Sequence, residues 1–198
     1  MEWRELIVDG FERLPDLAEE ALSGVRAADL DRPPGPGANP LGWTVWHLTR
    51  VQDGQIADLM GDPAADLWTR DGWHRKFDRP PDHEDSGYGH TAAQVRAFRS
   101  PSAKVQLDYL RATTERTKQY LASLTPADLD RALDEPGPDP ATVGVRLLSI
   151  LADCHFHAGE ASYISGLVKA GAKAARPAKP KRPARAAKRK STRKTRSR

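Results

Sequence analysis

The sequence predicts an all-α protein: a four-helix bundle over residues 1–168, with a long crossover connection between its second and third helices, followed by a disordered basic C-terminal tail over 169–198. Three observations predict this fold class. Apolar residues recur at spacings of three and four in four long stretches, and no stretch alternates as a β-strand does. A loop-rich segment, residues 62–100, separates the second stretch from the third. The tail contains almost no side chain that a core could bury.

The first two helices are predicted on either side of a loop. Residues 2–24 place their apolar side chains on one face of a helix, which Pro15 bends or interrupts. Residues 29–39 contain too many prolines and glycines to continue it. Asn39 is typical of an N-cap, and a proline follows at the first helical position, so the second helix runs from Pro40 to Met60.

The second half contains the crossover and two more helices. Residues 62–100 are rich in Asp, Gly, Pro and Arg, with a short helical piece at 91–98. A connection of this length is usually functional or a topological crossover, and we expect it to form a lid or a substrate-selecting segment. A cap signal at Ser100 predicts a third helix over 101–124, and a threonine begins the fourth, over 142–169.

A five-residue sequence, Ala-Asp-Leu-Asp-Arg, occurs at 28–32 and again at 127–131. Each copy follows a long predicted helix, and each precedes a Pro/Gly loop and a helix that bears a candidate ligand. Two helix–loop–helix halves related by duplication explain the pattern, and so does a common short turn.

Charge is divided unevenly along the chain. Residues 169–198 hold 14 of the 31 lysines and arginines and no acidic residue, which leaves the first 168 residues with a formal charge of −10. Cationic low-complexity segments bind phosphate backbones without sequence choice. The alternatives are a tether to an acidic surface of this chain or of another copy, and a tail without a partner. The residues expected to bind DNA or RNA are Lys181, Arg182, Arg185, Lys188, Arg189, Lys190, Arg193 and Lys194.

Cysteine usage and hydropathy indicate the compartment. Cys154 is the single cysteine, which excludes an internal disulfide and fits a reducing environment. No apolar run approaches the roughly 18 residues of a membrane span, and the N-terminus lacks the pattern of a signal peptide. We therefore expect a cytoplasmic protein without a membrane partner, associated with the nucleoid if the tail binds DNA.

Three side chains are candidate metal ligands. Asp153 and His157 lie four residues apart in an apolar run, so on a helix they leave the same face. His47 is a third donor on another predicted helix. Two imidazoles and one carboxylate suit a divalent ion with an open position, Zn²⁺ first and Ni²⁺, Mn²⁺ or Fe²⁺ as alternatives. The competing interpretation is an Asp153–His157 pair that only orders the core.

Residues near the candidate ligands in the sequence give weaker indications of function. Glu160 is placed to orient an imidazole N–H or to act as a general base, although an exposed glutamate needs neither role. Gly54 lies on the face of His47, where it leaves room for substrate or for close helix packing. Cys154 and His155 point away from the candidate ligands. Trp43, Trp46, Trp68 and Trp73 with Tyr88 form an aromatic pocket or simply core, with core favoured for Trp46, and we expect His74, His83 and His90 to be mostly solvated.

Two stretches resemble a known family. Residues 39–53, with Trp46-His47 near their centre, are similar to the second helix of the DinB-like superfamily. Residues 144–167, which contain His157-Ala158-Gly159-Glu160, are similar to its fourth helix. The resemblance covers residues 1–168 and is strongest to an uncharacterised actinobacterial branch near the mycothiol-dependent maleylpyruvate isomerases.

The resemblance implies a four-helix bundle, often dimeric, that binds a divalent metal. Matched residue by residue, it assigns the ligands to His47, Asp153 and His157. Many members have histidine where this chain has Asp153, whereas the mycothiol-dependent isomerases use a carboxylate there. Several members are thought to be metal-dependent S-transferases or isomerases that use a low-molecular-weight thiol as co-substrate.

Two hypotheses of function follow. The first is a divalent-metal-dependent thiol S-transferase or isomerase that acts on a small electrophilic molecule. The second is a non-enzymatic helical-bundle protein that binds nucleic acid non-specifically through its basic tail. The resemblance makes a homodimer a candidate assembly, and the two functions are compatible.

Overall fold

The computed structural model describes residues 2–134 and 140–174 and is all helical, as predicted. An isolated antiparallel bridge joins Ala132 to Thr142, and the described part of the chain contains no strand. The helices are α1 (Trp3–Leu22), α2 (Leu41–Leu59), α3 (Leu67–Arg70), α4 (Trp73–Lys76), α5 (Ala92–Ala97), α6 (Ala103–Ser123) and α7 (Val143–Ala174).

Four long helices form the bundle, in which α1 and α2 each pack against both α6 and α7. The α2 and α6 helices are parallel neighbours. Near their starts the Gln106 side chain donates to the Gly42 carbonyl, and near their ends the Tyr120 hydroxyl donates to the Leu59 carbonyl. A long connection must carry the chain back between two parallel helices, so the predicted crossover is confirmed.

The core has two parts. The larger part fills the space between the four long helices. The smaller part is aromatic and packs the crossover against α2 and α6; its buried residues are Trp43, Trp46, Leu67, Trp68, Trp73, Phe77, Phe98 and Tyr109. The four tryptophans are therefore core residues rather than the walls of a pocket. Tyr88, which was grouped with them, is 91% exposed.

Several helix boundaries differ from the prediction by one to a few residues. Pro40 precedes the first helical residue of α2 and occupies the N-cap position expected for Asn39. Ser102, not Ser100, caps α6, since its side chain accepts the N–H of Val105. The α7 helix continues to Ala174, past the predicted end at 169 and into the predicted tail, since this stretch is rich in alanine.

Both copies of the repeated sequence begin in short 3₁₀ helices, Ala27–Asp29 and Pro126–Asp130. Each 3₁₀ helix follows a long helix and precedes α2 or α7, which bear the candidate ligands. This placement agrees with the predicted helix–loop–helix pattern. Duplication and a recurring turn both remain compatible with it.

The α7 helix also carries a row of exposed apolar side chains: Val145, Leu148, Phe156, Tyr163 and Leu167. The structure contains one chain, so the expected homodimer stays a prediction. None of the described helices combines the length and the apolarity that crossing a bilayer requires.

Candidate metal centre

The bundle brings His47 of α2 beside Asp153 and His157 of α7. Each of the three offers one donor atom, and these atoms all lie within 4.8 Å of one another. The ring centroids of the two histidines are 4.6 Å apart in an edge-on arrangement. Helix α2 packs directly against α7, so residues 106 positions apart or more in the chain become neighbours.

His47 is almost completely buried and is held on two sides. Its ring stacks on Trp43, with centroids 4.8 Å apart. Its Nδ1 lies 2.5 Å from the carbonyl oxygen of Ser86 in the crossover. A carbonyl only accepts, so Nδ1 carries the proton and Nε2 keeps a lone pair. Burial lowers the pKa of His47, which favours the neutral imidazole that a metal requires.

His157 is oriented in a similar way by Glu160. The His157 Nδ1 donates to the Glu160 carboxylate at 2.7 Å, and its Nε2 lies 3.7 Å from Oδ1 of Asp153. Both candidate histidine ligands therefore bond through Nδ1 to an oxygen acceptor. Such contacts fix the ring orientation and increase the basicity of the other nitrogen.

Asp153 supports a metal more than a structural ion pair. Its Oδ2 is buried, yet it has no hydrogen-bond partner among the described residues. Its Oδ1 lies 3.7 Å from Nε2 of His157, which is long for a hydrogen bond, and the side chain is partly exposed, so this contact gives a structural pair little support. A buried carboxylate oxygen without a partner is costly unless something binds it. The donor set and this oxygen fit a divalent ion.

A cleft of about 550 Å³ opens beside these residues. Gly54 lines it, and a Cβ at this position would approach only His83, at 3.9 Å. This glycine therefore leaves space in the cleft. The crossover contributes His83, Glu84, Ser86 and Tyr88 to the wall, while α7 contributes Arg146, Ser149 and Asp153.

Gly87 allows the crossover backbone to approach His47. It has φ of +91°, which favours glycine, and an added Cβ would lie 2.9–3.0 Å from Trp46, His47 Nδ1 and Trp43. The approach places the carbonyl of the preceding Ser86 on the His47 ring. The sequence did not predict this contact, for which a glycine in an aromatic-containing connection was the only signal.

A buried charged network lies behind the site. The Asp53 carboxylate accepts from Arg50, from the Tyr109 hydroxyl at 2.6 Å, and from the backbone N–H groups of Leu67 and Trp68. Oδ1 of Asp53, which accepts from Leu67, also lies 2.9 Å from Arg116. The sequence did not predict this network, although two charged residues, Arg50 and Asp53, in the middle of a largely apolar helix were a signal for it.

The family that matches this chain is the DinB superfamily, over residues 10–161. The chain belongs to the DinB superfamily. A crystal structure of a conserved protein from Enterococcus faecalis is similar, with a TM-score of 0.78 and 30% sequence identity over 86% of this chain and 99% of that one. No curated protein matches.

Membership in the DinB superfamily is consistent with a metal-binding, enzyme-like fold, and the three clustered residues could hold a divalent metal. The identity of the metal, the mycothiol-dependent branch and the roles of the individual residues stay predictions.

Three further residues of α7 lie near the cluster in this DinB-superfamily chain, and only Glu160 contacts it. His155 bonds to the Leu151 carbonyl and does not join the cluster. Cys154 is fully buried against the Leu48 carbonyl, and burial raises the pKa of its thiol, so it is a core residue. The exposed Glu160 contacts His157, the contact that an orienting role requires.

The expectation that the crossover histidines are mostly solvated is wrong. Each is partly buried and hydrogen-bonded, because the crossover packs on α2 as a folded layer. His74 bonds to the Arg79 carbonyl, His83 lies between Asp58 and Asp66, and His90 bonds to Asp85 and to the Trp43 indole. The predicted nucleic-acid-binding residues of the tail, 181–194, lie outside the described residues.

Proposed function

We propose that this protein is a divalent-metal-dependent thiol S-transferase or isomerase that acts on a small electrophilic molecule. The observation that carries the proposal is the convergence of three donor groups, from His47, Asp153 and His157, beside a cleft. The cleft volume of about 550 Å³ suits a small molecule. Membership in the DinB superfamily supports a metal-binding role.

The chain's own residues prepare the site for this chemistry. His47 and His157 present Nε2, since Ser86 and Glu160 hold their Nδ1 protons. A bound Zn²⁺ supplies a Lewis acid that lowers the pKa of a thiol or of water. The buried Cys154 is not the reacting thiol, so the thiol comes from a small co-substrate in the cleft.

Metal content tests the proposal directly. Purified wild-type protein should contain close to one divalent ion per chain by mass spectrometry of the elements. His47→Ala and Asp153→Ala should each lower the affinity for Zn²⁺ by at least about tenfold, because each removes one of three ligands. His155→Ala is the matched control, as it changes a histidine on α7 that bonds to the Leu151 carbonyl of its own helix and lies outside the cluster. A folded wild-type protein that binds no divalent ion would overturn the proposal.

Turnover tests the reaction class. With glutathione or mycothiol and the electrophile 1-chloro-2,4-dinitrobenzene, the metal-loaded protein should accelerate thioether formation, which is followed by absorbance. The same protein after chelation, and Asp153→Ala, should return to the uncatalysed rate. Metal binding without acceleration for any thiol and electrophile pair would leave a metal-binding protein and remove the transferase.

The second candidate function is nucleic-acid binding, which the uneven distribution of charge along the sequence favours. Fourteen basic residues and no acidic ones follow residue 168. We expect the full chain to shift duplex DNA in a gel at low salt, and a chain ending at Ala174 not to do so. The end is placed there because α7 reaches Ala174 and Val168 belongs to the core. Binding should weaken steeply as salt increases.

A full-length protein with the basic residues beyond Ala174 changed to glutamine is the matched control, since it keeps the chain length. Equal DNA retention by the full and shortened chains would remove this function.

A further inference from the structure

Arg50 lies three residues after His47 on α2 and is completely buried. Burying a guanidinium is costly unless its charge is balanced and its five N–H groups are bonded. Asp53 and Asp66 balance the charge, at 3.2 and 3.4 Å from Nη1. Tyr109 also lies 3.2 Å from Nη1, so one edge of the guanidinium faces buried side chains.

The other edge of the guanidinium faces the crossover backbone. Nε donates to the Asp85 carbonyl at 3.1 Å. Nη2 donates to the His83 carbonyl at 2.7 Å and lies 3.4 Å from that of Asp82. Three carbonyls within four residues are therefore held by one side chain of α2. The planar fork of arginine suits this task, whereas a lysine ammonium is a single point of charge.

The residue after this held segment is Ser86, whose carbonyl accepts the Nδ1 proton of His47. The Asp85 carbonyl that Arg50 binds is therefore only one residue before the Ser86 carbonyl that contacts His47. Two other crossover residues, Arg79 and His90, bond to the Asp85 side chain and so also stabilise segment 82–85. The position of the Ser86 carbonyl depends on a segment that Arg50 ties to the helix bearing His47.

We propose that Arg50 is a positioning residue for His47: it holds backbone 82–85 so that the Ser86 carbonyl keeps the His47 proton on Nδ1 and leaves Nε2 facing Asp153 and His157. The use of that Nε2 for a metal rests on the proposed function. The choice of tautomer does not, because it is a property of the metal-free protein. In this arrangement the crossover is part of the site, since it decides which nitrogen of His47 is available.

The test compares Arg50→Lys with wild type in metal-free protein labelled with ¹⁵N-histidine. Long-range ¹H–¹⁵N spectra at pH 8 report which ring nitrogen carries the proton. Wild type should show His47 protonated on Nδ1. Arg50→Lys keeps the positive charge beside Asp53 and Asp66 but cannot bond all three carbonyls, so the tautomer protonated on Nε2 should become populated. Zn²⁺ affinity, measured by competition with a chelator, should fall about 10- to 100-fold.

Arg116→Lys is the matched control. Arg116 is a second buried arginine on Asp53, but its backbone contacts are Ala65 and Asp53 itself rather than 82–85. It should lose stability without changing the His47 tautomer or the Zn²⁺ affinity. Thermal unfolding of both variants reports the purely structural cost.

The outcomes separate the two proposals. A wild-type His47 protonated on Nε2 would overturn the positioning role, even if Arg50→Lys does not fold. So would an unchanged tautomer in folded Arg50→Lys, or an equal change in Arg116→Lys. A tautomer that responds to Arg50→Lys in a protein that binds no Zn²⁺ would support the positioning role and overturn the proposed function.

Discussion

Replacing Asp53 with alanine is expected to lower the free energy of unfolding by about 3–5 kcal/mol, the usual cost of removing one partner from a buried ion pair. Asp53 is fully buried and bonds to Arg50, Arg116 and Tyr109. It also accepts the backbone N–H groups of Leu67 and Trp68 at the start of α3. Its loss leaves two buried arginines with one counterion fewer and the N–H groups of Leu67 and Trp68 without their acceptor. Urea unfolding followed by tryptophan fluorescence measures the change.

Asp58→Ala is the matched control for this experiment. Asp58 lies on the same helix and also pairs with a side chain, His83, but its own side chain is 55% exposed. Exposed ion pairs contribute little, so this variant should cost less than about 1 kcal/mol. If both variants lowered the free energy of unfolding by a similar amount, the buried contacts of Asp53 would contribute no more than an exposed ion pair.

Replacing Gly87 with alanine should cost about 2–4 kcal/mol, because backbone strain and overpacking add at this position. The residue has positive φ, and the new Cβ would approach Trp43, Trp46 and His47 Nδ1 to within 3.0 Å. These rings belong to the packed interior and cannot all move. The crossover backbone must therefore withdraw, which lengthens the contact between the Ser86 carbonyl and His47.

Gly89→Ala separates the cost of backbone strain from the cost of overpacking. Gly89 also has positive φ, at +72°, but an added Cβ would meet no atom within 4 Å. It should lose only about 1–2 kcal/mol from backbone strain. Chemical denaturation of both variants gives the difference, which measures the packing cost. An equal loss for the two would contradict the close approach at Gly87.

Much of the fold could be predicted because its causes are local. The 3.6-residue period of apolar side chains in α1, α2, α6 and α7 is visible in any window of the sequence, and so is the loop-rich composition of the crossover. The boundaries were less predictable. Ser100 and Ser102 both have the side chain of an N-cap, and only the folded chain shows that the Ser102 side chain accepts the N–H of Val105.

The candidate site was likewise predictable where its features are local. Asp153 and His157 share a helix face by spacing alone, and the resemblance to the DinB-like superfamily paired them with His47. The contact of Glu160 with His157 is also local, at a separation of three residues. By contrast, the histidines of the crossover were expected to be mostly solvated, because nothing in their own neighbourhood predicts that this segment packs as a layer on α2.

Local pattern was therefore enough for the helices, for the face that bears Asp153 and His157, and for the basic composition beyond residue 168. Only the folded chain decided which nitrogen of His47 is presented, since the Ser86 carbonyl reaches it from 39 residues away. The same is true of Arg50, which belongs to a residue type that is mostly exposed in proteins and which the structure buries completely. Hydrophobic periodicity reports which face of a helix is buried, but it does not report which distant backbone will cover that face.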